Sequence, residues 1–235
     1  MSAPPSPPRT PRSGGAPGRT PQHPPRRSLR QVLCPAPFGR RMVQLNVGLV
    51  LYGVSTALLL RAGLGVDPWT VLHQGLAEVS GLTVGVVSVL AGLLVLALWW
   101  PLRQRPGIGT VLDAVVVGLV TDAALTVCPR PGTLGAQVAL LAGAVVLNAA
   151  ATACYLGAGL GPGPRDGLMT GLAARGRSLR VTRTLIELTA LGSGWLLGGP
   201  VGIGTVVYAL SIGPLAQLFI PWLELRPAGV ERDPS

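Results

Sequence analysis

The chain has 235 residues, 49% hydrophobic and 12% charged, with a mean hydropathy of +0.51; it is too apolar for an ordinary water-soluble domain and reads as a polytopic membrane protein. The formal net charge of +10 is not a nucleic-acid signature, because residues 1–41 hold eight Arg and no acid while the remainder is close to neutral. All 19 basic residues are Arg, and the lack of Lys excludes a Walker A phosphate loop and Schiff-base chemistry, both of which need a lysine amine.

Residues 1–41 also carry eleven Pro and lack the apolar residues to build a core, so they are expected to form a disordered Pro/Arg-rich cytoplasmic tail. They contain no short apolar stretch ahead of a small-residue cleavage site. Arg40-Arg41 before an apolar run fits a positive anchor for the first membrane helix better than a twin-Arg export signal.

Apolar runs of roughly 17 to 25 residues, enough to cross a hydrocarbon core, lie at about 43–61, 83–101, 109–127, 134–156, 183–199 and 203–222. Six spans are expected. Between the first and second lies a segment from Asp67 to Glu78, and between the fourth and fifth one from Pro164 to Ala174. Each is about 12 residues, or about 18 Å as a helix, near half the thickness of the bilayer core. Pro68 and Pro164 at the first helical position, with Asp67 as an N-cap, mark where these short helices start. Gly63 and Gly65, and Gly159 and Gly161, allow a tight reversal just before them.

The hydrophobic part is written twice. Ala62-Gly63-Leu64-Gly65, followed by Pro68, Leu72, Gly75, Leu76 and Ala77, returns 96 positions later as Ala158-Gly159-Leu160-Gly161, followed by Pro164, Leu168, Gly171, Leu172 and Ala173. Gly107-Ile108-Gly109-Thr110-Val111 returns as Gly202-Ile203-Gly204-Thr205-Val206, with Gly118 answered by Gly213 at the same shift of 95. The expected organisation is therefore an all-α membrane bundle with one repeat over 42–132, a second over 133–223, and a short cytoplasmic C-terminal tail at 224–235.

Three spans per copy is an odd number, so the second copy is expected to sit upside down relative to the first. With six spans and a cytoplasmic N-terminus, ten arginines from Arg40 to Arg226 lie inside and only Arg61 and Arg130 outside; eight crossings would give eight against four. The positive-inside rule favours six. Equivalent loops also carry opposite charge: Arg103 and Arg105 precede the first Gly-Ile-Gly-Thr-Val, whereas the uncharged Gly198-Gly199-Pro200-Val201 precedes the second.

Leu45-Asn46-Val47-Gly48-Leu49, Gly65-Val66-Asp67-Pro68-Trp69, Val71-Leu72-His73-Gln74-Gly75-Leu76, Arg105-Pro106-Gly107-Ile108-Gly109-Thr110-Val111, Gly163-Pro164-Arg165-Asp166-Gly167-Leu168-Met169 and Ile186-Glu187-Leu188 together resemble the YczE/YyaS/YitT group of bacterial integral membrane proteins, and within it the YczE branch. The likeness covers about residues 42–222 and leaves the tail out. It implies a multi-pass protein of the cytoplasmic membrane and supplies no substrate.

A carboxylate in the middle of a membrane helix costs about 2.5–3.5 kcal/mol on insertion scales, so each one asks for a partner or a watery cavity. Asp113 and Asp122 share one helix but stand nine residues apart, on opposite faces. Asp113 reads either as an interfacial partner of Arg103 or Arg105 or as a functional acid, and Asp122 as a partnered structural acid or a lining group. Glu187 follows Arg183 by four residues, the spacing of a local salt bridge; the alternative is a protonatable or substrate-reading carboxylate. Asn46 and Asn148 are expected to bond across helix interfaces. His73, beside Gln74, reads as a packing residue or a ligand, and no second His, Cys or suitably spaced carboxylate completes a metal set with it. Cys34, Cys128 and Cys154 are odd in number and widely spaced, which suggests small apolar fillers and no disulfide framework.

The N-termini of the two short helices carry the sharper expectation. A helix that starts inside the bilayer aims its free N–H groups and positive dipole end at whatever fills the cavity, and an anionic or strongly polar group fits there. Asp67 and Asp166 stand at those ends and satisfy the dipole equally well. Arg165 in the second copy is matched by Trp69 in the first, so the two ends differ chemically. These features point to a small secondary transporter or permease of unknown substrate, its site between the glycine turns at 63–68 and 159–164. Asp113, Asp122 and Glu187 are the candidate proton carriers. The alternative is a non-transporting membrane adaptor or regulator whose basic tail touches anionic lipid or an acidic protein. An enzyme is not expected, since His-Glu-x-x-His and Gly-x-Ser-x-Gly are both missing. The expected partners are the lipid bilayer and a small polar or anionic substrate, with no nucleic acid, cofactor or metal.

Overall fold

In the membrane every backbone N–H and C=O must be satisfied within the protein, and the chain meets that demand with helices. The computed structural model describes residues 37–102, 104, 106–173 and 178–225. Most of the tail expected at 1–41 lies outside the described residues, as do Cys34, Arg103, Arg105, Arg175, Arg177 and Arg226. Among the described residues there are eight helices and no strand: α1 (Phe38–Ala62), α2 (Pro68–Ser80), α3 (Val84–Leu102), α4 (Ile108–Val127), α5 (Leu134–Gly157), α6 (Pro164–Ala173), α7 (Leu179–Leu196) and α8 (Ile203–Leu223). The molecule is an all-α membrane bundle.

Two expectations are corrected. Among the described residues five helices, not six, are long and apolar enough to cross a membrane by themselves: α1, α3, α4, α5 and α8. The segment expected at 183–199 is α7, which is 18 residues long and carries Arg180, Arg183 and Glu187; one face of it lines a cavity, and those charges lower its mean hydropathy. Further, α1 starts at Phe38, inside the segment assigned to the tail. Arg41 is ordered there because Nε donates to Ala158 O at 2.7 Å and Nη2 to Gly159 O at 2.5 Å, satisfying carbonyls just past the end of α5.

The bundle is centred on α1 against α5. Arg41 meets Ala158, Gln44 donates to Cys154 O at 2.9 Å, Ser55 meets Asn148, and Leu59 and Ala62 pack with Leu141, Ala144 and Val145. Residue numbers rise along α1 as they fall along α5, so the two helices run antiparallel. Small residues permit the close approach: a Cβ on Gly48 would lie 2.7 Å from Tyr155 N, and Ala144, Ala149, Ala151 and Ala153 are fully buried. Around this pair α4 packs on α1 and α8 on α5, while α2 lies against α7 and α6 against α3. Each short helix therefore leans on the other copy.

The first short helix, α2, starts midway through the bundle. Arg61, at the end of α1, donates to Leu125 O near the end of α4, and Asp122, also near the end of α4, binds Thr83 just before α3. The ends of α1 and α4 and the start of α3 thus share one side of the bundle. Between them α2 begins at Asp67, at the level of Tyr52 halfway along α1, and returns to that same side at Ser80.

The two duplicated motifs turn out to be partners. Gly65 and Gly161 both have positive φ, 110° and 127°, and each presses its backbone on the Gly-Ile-Gly-Thr start of the other copy's last helix. Gly204 N donates to Leu64 O at 2.7 Å, and Gly109 N donates to Leu160 O at 3.0 Å. Thr110 and Thr205, both buried, accept from Gly107 N at 3.1 Å and Gly202 N at 3.4 Å, closing the first turn of α4 and of α8. A Cβ on Gly65 would stand 2.7 Å from Thr205 Oγ1, and one on Gly161 would stand 2.9 Å from Thr110 Oγ1.

Candidate functional site

The docked turns deliver the starts of α2 and α6 to the middle of the molecule. Asp67 caps α2, accepting from Thr70 N at 3.2 Å and Thr70 Oγ1 at 2.5 Å, with Pro68 at the first helical position. In the second copy Pro164 opens α6, followed by Arg165 and Asp166. Arg165 crosses to the first copy: Nη1 lies 3.3 Å from Asp67 Oδ2, Nη2 donates to Tyr52 OH, and the guanidinium sits 5.4 Å above the Tyr52 ring centroid. Tyr52 meets Tyr155 edge to face at 6.1 Å, and Tyr155 OH donates to Asp166 Oδ2 at 3.2 Å. A polar circuit therefore runs from one short helix to the other through α1 and α5.

Two of the cavities at this centre lie on opposite sides of it. The larger, about 470 Å³, lies among α1, α5, α6, α7 and α8 and reaches Asp166, Glu187, Tyr208 and Gln217. The smaller, about 60 Å³, lies on the α3 and α4 side and reaches His73, Gly92 and Asp113. Tyr52, Trp69 and Arg165 line both and form the wall between them. The difference in size has a packing cause. Gly85 is set against Gly118 O, a Cβ on Gly92 would lie 3.0 Å from Ala114 Cβ, and Asp122 accepts from Gly85 N at 2.8 Å and Thr83 Oγ1 at 2.5 Å, so α3 is zipped to α4. By contrast α7 and α8 hardly touch, and the larger cavity opens between them.

Of the residues singled out in the sequence, Asp67, Arg165 and Asp166 come together at the centre. His73 lines the smaller cavity with its ring 6.3 Å from that of Trp69. Asp113 also lines it, close to Asp166: a Cβ on Gly163 would be 2.9 Å from Asp113 Oδ2 and 3.6 Å from Asp166 Oδ2. The alternative partners considered for it, Arg103 and Arg105, lie outside the described residues. Glu187 faces the larger cavity and pairs with Arg183 at 2.9 Å. Asp122 stands apart, holding the start of α3. Asn148 does bond across interfaces, donating to Ser55 Oγ at 2.8 Å and accepting from Tyr208 OH at 2.8 Å. Asn46 does not: it is exposed, and its Nδ2 donates to Met42 O on its own helix at 2.8 Å. The glycines behave as turn formers, with Gly63 and Gly159 at φ 68° and 63° beside the docked Gly65 and Gly161. Among the described residues no group of His, Cys, Asp and Glu could hold a metal ion.

Sequence reading passed over the tyrosines. The chain has three, Tyr52, Tyr155 and Tyr208, and all three line the larger cavity. A signal was present for two of them: Tyr52 and Tyr208 stand inside apolar runs, away from the interfacial belt where membrane tyrosines gather, so their hydroxyls needed buried partners, whereas Tyr155 lies at the end of its run.

Residues 39–221 match a family described as a family of unknown function, DUF6198. The chain belongs to the DUF6198 family. It is similar to an uncharacterized protein of Haemophilus influenzae, 38% identical over 75% of this chain and 81% of that one. It is also 34% identical to the uncharacterized membrane protein YczE of Bacillus subtilis, over 74% of this chain and 82% of YczE. The uncharacterized protein YyaS of the same organism is 29% identical, over 76% of this chain and 92% of YyaS. No solved structure matches the chain. Membership of this family agrees with the bundle described above: the protein is a helical membrane protein of the YczE/YyaS kind.

Proposed function

We propose that this DUF6198 protein is a small secondary transporter of the cytoplasmic membrane, built from two inverted repeats, with both termini in the cytoplasm and its substrate site at the Arg165–Asp67 centre. The observation that carries the reading is the placement of Arg165, the partner of Asp67, on a wall between two cavities of very unequal size, one on each copy's side. The antiparallel crossing of α1 and α5 supports inversion, since copies related by an axis along the membrane normal would run these helices parallel. The arginine distribution supports the orientation.

The repeat also supports a second conformation. Gly118 and Gly213 are equivalent, and only Gly118 has a packing reason here: a Cβ on it would meet Gly85 O at 2.5 Å. Gly213 lines the larger cavity with nothing within 4 Å of its Cβ position. A glycine kept at the matching place is accounted for if α7 closes on α8 as α3 does on α4, while α3 opens from α4. That exchange is alternating access.

The test is uptake of an isotope-labelled metabolite extract by proteoliposomes of the full chain, read by mass spectrometry beside Arg165→Ala reconstituted to the same density. Uptake of at least one compound by the parent and its loss in the variant is expected. If nothing enters in an Arg165-dependent manner, the adaptor reading takes its place.

A further inference from the structure

We propose that the molecule taken up in the larger cavity carries a monovalent organic ammonium group, seated between Asp166 and Glu187 against the rings of Tyr155 and Trp69. The assignment rests on the transporter reading and adds the substrate class to it.

Charge carries the argument first. Asp67, Asp166 and Glu187 line the cavity against Arg165 and Arg183, and both guanidiniums are already engaged, Arg165 with Asp67 and Arg183 with Glu187. Asp166 has only the neutral Tyr155 hydroxyl, at 3.2 Å. The surplus is negative and lies within the membrane, where an uncompensated charge is costly and a bound cation relieves it. An anion would meet that same field, and would have to draw Arg165 away from Asp67, whose side chain is only 5% exposed.

The lining supplies the rest. Tyr52, Trp69, Tyr155 and Tyr208 bring four aromatic rings to a cavity of about 470 Å³. Ring faces attract ammonium groups, and Arg165 over Tyr52 is an internal instance of the same attraction. Trp69 Nε1 is buried without a hydrogen-bond partner, a donor that a hydroxyl or carbonyl oxygen on the ligand would accept.

Three probes of one shape separate the possibilities: choline, the uncharged 3,3-dimethylbutanol and the anionic 3,3-dimethylbutanoate. Radiolabelled choline is equilibrated by dialysis against the full chain in lipid nanodiscs, and the other two compete. Saturable choline binding is expected, displaced poorly by the alcohol and the acid and weakened about tenfold or more by Asp166→Asn. Asn46→Gln, on an exposed position, is expected to bind as the parent does. Glu187→Gln, changing a half-exposed pair, is the second variant should Asp166→Asn fail to yield monodisperse protein, and it too is expected to weaken binding. Absence of saturable choline binding, displacement of choline by the acid as effective as by choline itself, or full affinity in the carboxamide variant would overturn the assignment. If the proteoliposome screen meanwhile shows Arg165-dependent uptake of an anion, only the substrate class falls; if it shows no such uptake of anything, the transporter reading falls as well.

Discussion

Arg165 reaches Asp67 across 98 positions of sequence, with Nη1 and Oδ2 3.3 Å apart, and so ties the start of one half-length helix to the start of the other. Breaking such a pair from one side leaves a buried charge without a partner. Arg165→Met is expected to destabilise the protein by about 3–5 kcal/mol, and adding Asp67→Asn to recover a good part of the loss. Thermal unfolding in detergent of the two single variants and the double gives the coupling directly. Additive losses would mean that the two residues act independently.

The reciprocal docking of the glycine turns makes a sharp contrast among glycines. Gly65→Ala and Gly161→Ala place a Cβ on positive-φ backbone and within 3 Å of a threonine hydroxyl on the other copy, so each is expected to cost several times the ~0.5 kcal/mol of an ordinary surface change. Gly132→Ala and Gly143→Ala, with nothing within 4 Å, are expected to be neutral or mildly stabilising. The fraction remaining monodisperse after graded heating measures all four.

Gly118 and Gly213 should separate folding from movement. Gly118→Leu forces α3 off α4 and is expected to lower the yield of folded protein sharply. Gly213→Leu meets empty space here and is expected to leave the yield unchanged while blocking closure of α7 on α8. With Cys34, Cys128 and Cys154 replaced, a single cysteine at Ala216 reports the state: reaction with a thiol reagent should become constant and fast in Gly213→Leu. Equal reactivity in parent and variant would remove the closure step.

Asp122 holds the start of α3 through Gly85 N and Thr83 Oγ1. Asp122→Ala is expected to cost about 1–2 kcal/mol, as loss of a good N-cap does. Faster hydrogen exchange confined to the first turn of α3 would show the cause to be local.

Glu187→Gln breaks an i,i+4 pair whose side chains are 58% and 34% exposed, so its effect on stability should stay below about 0.5 kcal/mol. Any large loss of proton-coupled flux in this variant is then a loss of function at the cavity. Unchanged coupling would remove Glu187 as a proton carrier.

Much of the architecture could be read from the residues alone, since each helix length is set locally by apolar runs and by Pro, Gly and Asp at their ends. The bounds expected for α3, α4, α5 and α8 agree with those observed to within a residue or two, and Pro68 and Pro164 do open α2 and α6. Periodicity says nothing of which helix another helix meets. Asn46 and Asn148 look alike as amides in apolar runs, yet α1 turns Asn46 outward while the α1–α5 crossing buries Asn148 between Ser55 and Tyr208.

The amino-acid order by itself determined that there are two copies, that each contains one helix too short to cross, and which residues punctuate them, because backbone sterics and bilayer thickness act on neighbours in the chain. Only the tertiary structure decided that each copy's glycine turn seats on the other copy's last helix, that Arg165 takes Asp67 as its partner, that three scattered tyrosines share one cavity, and that α7 stands open where α3 is shut. Those outcomes depend on contacts between residues far apart in the chain, from about 20 to about 150 positions, chosen by shape and charge across helix faces; a duplicated pattern leaves both halves free to pack alike, and the difference between them exists only once they are assembled.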